Sequence, residues 1–262
     1  MPQAPRSEVR NRLLKMLPPE AFEALQPHMA QVNLALKQVL VETNKPNDHV
    51  YFIESGLASV VAASSDGETV EVGHVGREGM AGYHVLLMTP TSTHRTFMQS
   101  VGSAIEVPVA PFMTALDEHR KMRNLLLRYV HSCEVQLGHS ALANARYNMH
   151  ERLARWLLMC HDRLDGDELA LTHEFLSLML GVRRSGVTEQ LHVLEGLHAI
   201  KATRGNIRII DREKLEDMAG GCYGAPEAEY ERLIETQVDH DFGRPVHSEA
   251  ETASGNESTS KT

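Results

Sequence analysis

Hydrogen-bonding side chains cluster at the start and on one face of a helix predicted for residues 183–196. At about 100° per residue, Ser185, Glu189 and His192 fall on the face opposite the apolar one, and Thr188 lies beside them. Arginine pairs with the major-groove edge of guanine or with phosphate, and glutamate accepts a hydrogen bond from the amine of cytosine. Residues of these types at this spacing could therefore read double-stranded DNA. The candidate DNA contacts on this helix are Arg183, Arg184, Ser185, Thr188, Glu189 and His192.

The elements on both sides of this helix would hold it in place. A preceding helix is predicted to begin after Thr172, a suitable N-cap, and to end at Gly181, which allows a sharp turn. Two short apolar runs, Ile200–Thr203 and residues 207–210, flank the sequence Arg-Gly-Asn, which is typical of a hairpin turn. Helix, turn, helix and hairpin together predict a winged helix, whose second helix normally enters the major groove. Thr172 and Arg204 are the two further candidate DNA contacts.

Residues 172–196 read THEFLSLMLGVRRSGVTEQLHVLEG, and this stretch resembles the helix-turn-helix of the Crp/Fnr family of bacterial transcription regulators. The family's pattern is filled by Thr172, Leu176, Gly181, Arg184 and Val187. The resemblance implies a homodimer on a palindromic operator, with recognition helices about 34 Å apart. It also implies an N-terminal sensor domain, and contact with RNA polymerase if the protein is an activator. Many relatives carry a basic residue in place of Glu189, so the operator sequence does not follow from the resemblance.

Two other functions fit the same pattern. Two helices and a hairpin also occur in domains that bind only protein, and a DNA-binding regulator need not have an effector. The first alternative is a module that senses a nucleotide or another small ligand and docks a protein partner through its helical end. The second is a regulator without an effector, controlled by its own abundance. Retention on DNA of a specific sequence would separate the DNA-binding function from the protein-docking one.

Short strands separated by turns dominate the region from residue 32 to residue 107, after a helical region at residues 8–30 that is broken at Pro18 and Pro19. Many short strands at this spacing predict an antiparallel sandwich or jelly roll. The run HVYFIESGLASVV, at residues 49–61, resembles a signature of cyclic-nucleotide-binding-like domains, which are jelly rolls in Crp/Fnr proteins. The predicted fold is α+β: an N-terminal jelly roll, a long dimerisation helix and a C-terminal winged helix. The predicted strands are Val39–Val41, 50–53, 57–63, Thr69–Val75 and 101–107.

A candidate effector site lies in the run VGREGMAGYHVLL, at residues 75–87. In Crp-like proteins the corresponding loop combines a Gly-Glu step, whose glutamate holds the ribose, with an Arg-Ser or Arg-Thr pair for the phosphate. Here Tyr83 stands where that glutamate is expected, and a phenol cannot supply a carboxylate. The resemblance implies Gly79, Gly82, Tyr83, Arg95 and Thr96 as effector contacts. We predict that cyclic AMP does not bind at micromolar concentration, and the effector stays unassigned.

A helical period extends from about residue 111 to residue 144. Apolar residues recur there at alternating spacings of three and four, which is typical of a coiled-coil seam. The same stripe could instead pack on the protein's own barrel, and the spacing alone does not decide between the two. The Crp/Fnr resemblance favours the dimer, because members of that family pair through this helix. The predicted seam consists of Met122, Leu126, Tyr129, Cys133 and Leu137.

Composition and motifs exclude several classes of protein. No apolar run reaches the ~18 residues of a membrane helix, and the N-terminus lacks the apolar core of a signal peptide, so we expect a cytoplasmic protein without membrane contact. Cys133, Cys160 and Cys222 are isolated, which argues against a disulfide framework or an iron–sulfur cluster. No closely spaced metal-ligand pair, nucleophile elbow or phosphate-binding loop appears. We therefore predict no catalytic residues, no metal and no cofactor.

The net charge of −9 is concentrated at the C-terminus, where residues 215–262 contain 11 acidic and 3 basic residues. The body of the chain is thus almost neutral, and attraction to phosphate must come from local arginines. The acidic segment is predicted to be a disordered tail. At 262 residues the chain suits two compact domains with a connecting helix. The predicted divisions are 1–110 for the sensor, 111–147 for the dimerisation helix and hinge, 148–220 for the winged helix and 221–262 for the tail.

Overall fold

Two four-stranded antiparallel sheets form the N-terminal part of the computed structural model, which describes residues 5–236. Their strand orders are β1-β8-β3-β6 and β2-β7-β4-β5. Side chains from both sheets meet in one buried cluster, as in a sandwich. The N-terminal all-β domain is therefore confirmed. The strands are β1 (Ala30–Leu34), β2 (Val39–Val41), β3 (His49–Ser55), β4 (Ala58–Ala63), β5 (Thr69–Val75), β6 (Met80–Ala81), β7 (Arg95–Met98) and β8 (Gly102–Pro108).

Three of these strands, β1, β6 and β7, were not predicted from the sequence. β1 begins at Ala30, the last residue of the region predicted to be helical. Its sequence AQVNL alternates apolar and polar residues, but it is only five residues long and has only two large apolar residues, so the pattern is weak. The helical prediction holds for α1 (Arg12–Lys15), α2 (Pro19–Leu25) and the 3₁₀ turn Gln26–His28. β6 is only two residues long, and β7 follows a turn-rich segment that hides its start.

The two packed sheets are called the barrel below. Two helices follow it: α3 (Val109–Glu118) and α4 (Arg120–Arg146). Met122 and Leu126 of α4 are fully buried, and Tyr129 is 3% exposed, in the core that the barrel shares with α1 and α2. Cys133 packs partly buried against the same core, and Leu137 is 41% exposed. Four of the five predicted seam residues therefore pack on the protein's own barrel, and Leu137 does not. Alternating three- and four-residue spacing marks any buried helix face, whether or not the partner is a second chain.

The opposite side of α4 carries an exposed apolar stripe, which we call the free face. Its apolar residues lie on one helix side, with Leu127 in the first half of α4 and the others near its end. The exposed polar residues His131 and Glu134 lie between them on the same side. An added Cβ at Gly138 would meet no atom within 4 Å, so nothing described covers this face at that point. The free face consists of Leu127, Gly138, Ala141, Leu142 and Ala145.

A winged helix forms the C-terminal part, as predicted. Its helices share one apolar core, and its three short strands form a sheet of order β10-β11-β9. The N-terminus of α5 is fixed by a reciprocal capping box between Asn148 and Glu151. The break between α4 and α5, at Tyr147, falls inside the range in which we place the hinge. The elements are α5 (Met149–Arg163), β9 (Glu168–Leu169), α6 (His173–Leu180), α7 (Arg184–Gly196), β10 (Ile200–Thr203), β11 (Asn206–Ile209) and α8 (Arg212–Ala219).

The winged helix packs directly on the sheet that contains β4, β5 and β7. The indole Nε1 of Trp156 donates a hydrogen bond to Oε1 of Glu71 at 2.6 Å, inside this contact. Near it, the buried guanidinium of Arg163 pairs with Glu78 at 2.7 Å. Burial opposes the ionisation of Glu78, but the charge of Arg163 outweighs it and holds the pKa of that carboxyl below its usual range. The two parts of the chain are thus joined by buried polar contacts as well as by apolar packing.

Residues 223–236, which we call the C-terminal strap, cross from the winged helix back to the barrel. They include helix α9 (Ala225–Tyr230) and the π-helical turn Glu231–Glu235. Tyr230, Leu233 and Ile234 are buried in the core of the barrel and α4. The disordered tail predicted from residue 221 onward is therefore wrong for residues 221–236, because these three apolar residues are hidden among glutamates in the sequence. The rest of the predicted tail lies outside the described residues.

Candidate nucleic-acid interface and effector pocket

Helix α7 has an exposed polar face and, on its opposite side, a buried apolar face. Val187 and Leu191 are buried in the winged-helix core, and Gly181, with φ at +64°, makes the turn that sets α7 against α6. Arg183 is the N-cap residue, with extended backbone, and Arg184 is the first residue of the helix. Both arginines are exposed. The exposed N-terminus of α7 therefore carries two positive charges beside free backbone N–H groups, a combination that attracts phosphate.

The other predicted contacts on α7 extend along the same face. Ser185, Glu189 and His192 are exposed, and Thr188 is half-buried, with its hydroxyl donating to the carbonyl of Arg184 at 3.2 Å. The ring Nδ1 of His192 lies 3.3 Å from a carboxylate oxygen of Glu195. The structure thus brings together all six residues predicted on this helix.

Glu195 is a functional candidate that the sequence pattern missed. Its Oε1 accepts a hydrogen bond from the backbone N–H of Ala202 at 2.8 Å, and this bond ties the end of α7 to the first strand of the hairpin. The hairpin carries the exposed Arg204 at its tip. Lys201 and Arg208 are register partners on β10 and β11, and both are exposed. The hairpin therefore adds basic side chains beyond the single one predicted.

Thr172 has a structural task in this arrangement. Its Oγ1 accepts a hydrogen bond from the N–H of Phe175 at 3.1 Å and so caps α6. Thr172 and Arg183 also line a cleft of ≈1120 Å³ between the winged helix and the barrel, opposite Lys37 and Arg95. The cationic start of α7 thus lies at the mouth of an interdomain cleft.

The five predicted effector residues do not line one site. Gly79 lies so close to the phenol of Tyr129 that a Cβ there would overlap the ring. Tyr129 in turn exchanges hydrogen bonds with the backbone of Met80, at 3.0 and 3.2 Å. Gly79 therefore serves the packing of α4 on the barrel. Gly82, with φ at +89°, has the left-handed backbone that lets the chain enter the 3₁₀ helix Tyr83–Leu87.

Gly82, Tyr83 and Thr96 line a pocket of ≈330 Å³, which we call the barrel pocket. Arg95 does not reach it. Consecutive residues of a strand point to opposite faces, so Thr96 points inward and is 5% exposed, whereas Arg95 points outward. The guanidinium of Arg95 stacks on Phe97 at 5.6 Å and lies 3.6 Å from Glu42. The Arg95-Thr96 pair implied by the resemblance is therefore split between two sides of the sheet.

Two family models match the chain. The cyclic nucleotide-binding domain matches residues 31–119, which include the barrel and its pocket. The Crp-like helix-turn-helix domain matches residues 151–218, which include α6, α7 and the hairpin. Together the two matches cover more than half of the chain. This chain belongs to the Crp/Fnr family of transcription regulators. A comparison with curated protein sequences finds no match.

Solved structures of Crp/Fnr regulators share the fold. FixK2 of Bradyrhizobium japonicum is 17% identical, with a TM-score of 0.64 over 74% of this chain and 98% of that one. TTHB099, a CRP-family transcriptional regulator of Thermus thermophilus, is 20% identical, with a TM-score of 0.60 over 74% and 99%. CLP of Xanthomonas campestris, a c-di-GMP responsive global regulator, is 16% identical, with a TM-score of 0.57 over 72% and 98%. At these identities the likeness shows the fold.

The C-terminal strap lies beyond both family matches in this Crp/Fnr protein, since the second match ends at residue 218. No helix within residues 5–236 is long and apolar enough to cross a membrane. In the same described part of the chain, no group of three or more His, Cys, Asp or Glu side chains is arranged to hold a metal ion.

Proposed function

We propose that this Crp/Fnr protein is a homodimer that binds a palindromic operator in double-stranded DNA through α7. The observation that carries the proposal is the exposed polar face of α7, which begins with Arg183 and Arg184 and is backed by a buried apolar face. A helix with its contact side chains exposed and its opposite side fixed in a core is suited to insertion into the major groove.

The free face of α4 is the proposed dimer surface. Leu127 and Leu142 are exposed there by 41% and 44%, and Gly138, Ala141 and Ala145 between and beyond them would let a second helix approach closely. This surface replaces the seam predicted from sequence, because four of the five seam residues pack against the protein's own barrel. Pairing along α4 would relate the two copies of α7 by a two-fold axis, which is why we propose a palindromic operator.

Each residue predicted from the sequence to contact DNA has a proposed role. Arg184 pairs with O6 and N7 of a guanine, Glu189 accepts from the amine of a cytosine, and Arg183 binds phosphate. Ser185, Thr188, His192 and Arg204 are proposed as further DNA contacts, whereas Thr172 supports the site by capping α6.

Replacing Arg184 with alanine is expected to lower affinity by about 1–3 kcal/mol at one base position and to relax specificity there. Replacing Arg183 with alanine is expected to weaken binding to all sequences alike and to reduce the dependence on salt, because a phosphate contact releases counterions. Selection of bound sequences from random duplexes, followed by affinity measurements at several salt concentrations, checks both outcomes.

The matched control for these variants is Arg120→Ala, which removes an exposed arginine at the start of α4. It should leave the selected sequence unchanged. If selection with the unaltered protein enriches no palindrome, the proposed function is wrong.

A protein partner at the winged helix is the second candidate function. Val193 and Leu197, one turn apart near the end of α7, are exposed by 41% and 51%, and Ile210 beyond β11 is exposed by 53%. Such apolar side chains suit contact with protein rather than with phosphate. In an activator, this surface would contact RNA polymerase while α7 binds DNA. In a module that does not bind DNA, it would contact a protein partner and α7 would have no DNA to bind. The selection experiment separates these two cases.

A further inference from the structure

The interdomain cleft, the space of ≈1120 Å³ between the winged helix and the barrel, collects positive charge from both of its sides. Lys37 and Arg95 line it on the barrel, and Arg183 lines it at the N-terminus of α7. Arg95 lies 3.6 Å from Glu42, whereas neither Lys37 nor Arg183 forms a salt bridge with a residue that the structure describes. Among the lining residues, all of them described, Glu68 carries the one carboxylate. The cleft therefore has an excess of positive charge.

The size and walls of the interdomain cleft suit a segment of polypeptide with carboxylate side chains. Its volume exceeds the roughly 300–1,000 Å³ of a pocket for a small molecule. The first turn of α7 adds unpaired backbone N–H groups next to Arg183, and these favour an anion at the same place. Leu36 and Leu178 line the cleft with exposed aliphatic side chains, which a bound segment would cover.

Residues 237–262, which follow the C-terminal strap, contain a segment of matching charge. Within them, residues 249–257 read EAETASGNE, with three glutamates and no basic residue. We call residues 249–257 the glutamate segment. Its other side chains are small or polar, so it can lie along a surface without burying a bulky group. Three carboxylates of this segment would match the three cations of the cleft.

The glutamate segment is long enough in sequence from the strap to reach the interdomain cleft of its own chain. Arg12, which holds Glu235 at the end of the strap, donates its backbone N–H to the carbonyl of Arg77 at 2.6 Å. Arg77 follows the last residue of β5, and Thr69 lines the cleft at the other end of that strand. Thr69 and Arg77 are about 26 Å apart at the rise of a strand. The intervening residues 237–248 could span up to ~40 Å when extended.

We propose that the glutamate segment docks in the interdomain cleft and competes with DNA for the start of α7. The inference rests on the proposed function, because it names a regulation of the same DNA-binding site. Arg183 is a proposed phosphate contact, and a carboxylate bound to it would exclude the phosphate. Tethering raises the local concentration of the segment to the millimolar range, so weak ion pairs suffice for docking. Exposed ion pairs contribute little to the free energy of unfolding, so docking changes DNA affinity more than stability.

The first test compares the full-length protein with a protein that lacks residues 237–262, using the duplex obtained by selection. We expect the truncated protein to bind at least about threefold more tightly at about 50 mM salt, with a smaller difference at about 300 mM, since salt screens exposed charges. A full-length protein with Glu249→Gln, Glu251→Gln and Glu257→Gln should gain the same affinity, because it keeps the length of the chain and loses the three charges.

Lys37→Ala distinguishes docking from repulsion of DNA by a distant negative charge. If the glutamate segment docks on Lys37, this substitution should raise the DNA affinity of the full-length protein and leave that of the truncated protein unchanged. If Lys37 instead binds phosphate, the substitution should lower the affinity of both proteins. Lys45→Ala is the matched control, because Lys45 is an exposed lysine of the barrel that does not line the cleft. It should change neither affinity.

A cross-linking experiment tests docking without DNA. A carbodiimide joins an amine directly to a carboxylate, so it links only side chains that are in contact. In the full-length protein at low salt, we expect peptides that link Lys37 to a glutamate of the glutamate segment, identified by mass spectrometry. Lys45 should give no such link, and the link from Lys37 should disappear at high salt.

Three outcomes would overturn the proposal: Lys37 forms no link to the glutamate segment, truncation leaves DNA affinity unchanged, or Lys37→Ala weakens the full-length and truncated proteins alike. The DNA-selection experiment is read independently. A protein that enriches a palindrome but fails these tests would keep the proposed function and lose the docked segment. A protein that forms the link but enriches no duplex would lose the proposed function, and the competition with DNA along with it.

Discussion

Replacing Leu126 with aspartate is expected to unfold the sensor domain rather than to separate two folded subunits. Leu126 is fully buried and belongs to the same cluster as Phe52 and Phe112. Removing a buried leucine costs about 2–5 kcal/mol, and a carboxylate in its place adds the cost of burying a charge without a partner. The sum is comparable to the whole stability of a domain, about 5–15 kcal/mol. Thermal unfolding and the yield of soluble protein measure the loss.

The adjacent substitution Leu127→Asp provides the matched comparison. It makes the same chemical change one residue along α4, but Leu127 is 41% exposed on the free face. The fold should therefore be retained, with stability within about 1 kcal/mol, whereas self-association should weaken. Sedimentation at several protein concentrations tests this. Folded monomers from Leu126→Asp would instead restore the seam predicted from sequence, and an unchanged dimer from Leu127→Asp would exclude the free face.

The contrast between these two leucines shows what a periodic pattern can establish. The spacing of Met122, Leu126 and Tyr129 correctly predicts a helix with one buried side, because burial requires that period. It contains no information on which surface covers that side. The free face was not predicted, since Gly138 and Ala141 contribute little to an apolar pattern even though small residues favour close helix packing.

The winged helix was predictable because each of its elements has its own local signal. Thr172 caps α6, Gly181 has the positive φ expected of a helix stop, and the hairpin has four-residue strands around a tight turn. The exposed polar face of α7 follows from the same periodicity. The hydrogen bond between Glu195 and Ala202 could not be predicted from the sequence. It joins α7 to β10, and the relative placement of these two elements is determined only in the folded domain.

The lining of the barrel pocket was predicted only in part, and the reason is strand geometry. A resemblance places Arg95 and Thr96 next to each other, but β7 directs adjacent side chains to opposite faces. Once β7 is recognised as a strand, only one of the pair can line the pocket. His84, which also lines the pocket, gave no sequence signal, because a histidine within an apolar run is typical of many buried positions.

The C-terminal strap is expected to stabilise the whole protein, and Ile234→Ala should lower the free energy of unfolding by about 2–4 kcal/mol. Ile234 is 2% exposed in the core shared by the barrel and α4, so its truncation leaves a cavity that its neighbours fill only partly. Polar contacts hold the strap at the same place: the hydroxyl of Tyr230 donates to the carbonyl of Glu78 at 2.6 Å, and Arg12 donates to Glu235 at 2.6 Å.

Two deletions separate the strap from the sequence that follows it, each measured by denaturant unfolding. Removing residues 223–262 should destabilise the protein more than Ile234→Ala does, because Tyr230 and Leu233 are lost with Ile234 and the core beneath them is exposed. Removing only residues 237–262 is the matched control. That segment lacks a regular apolar pattern in the sequence, so we predict a change within about 0.5 kcal/mol. Equal stability of the two truncated proteins would show that the strap contributes nothing in solution, since only the longer deletion removes its buried residues.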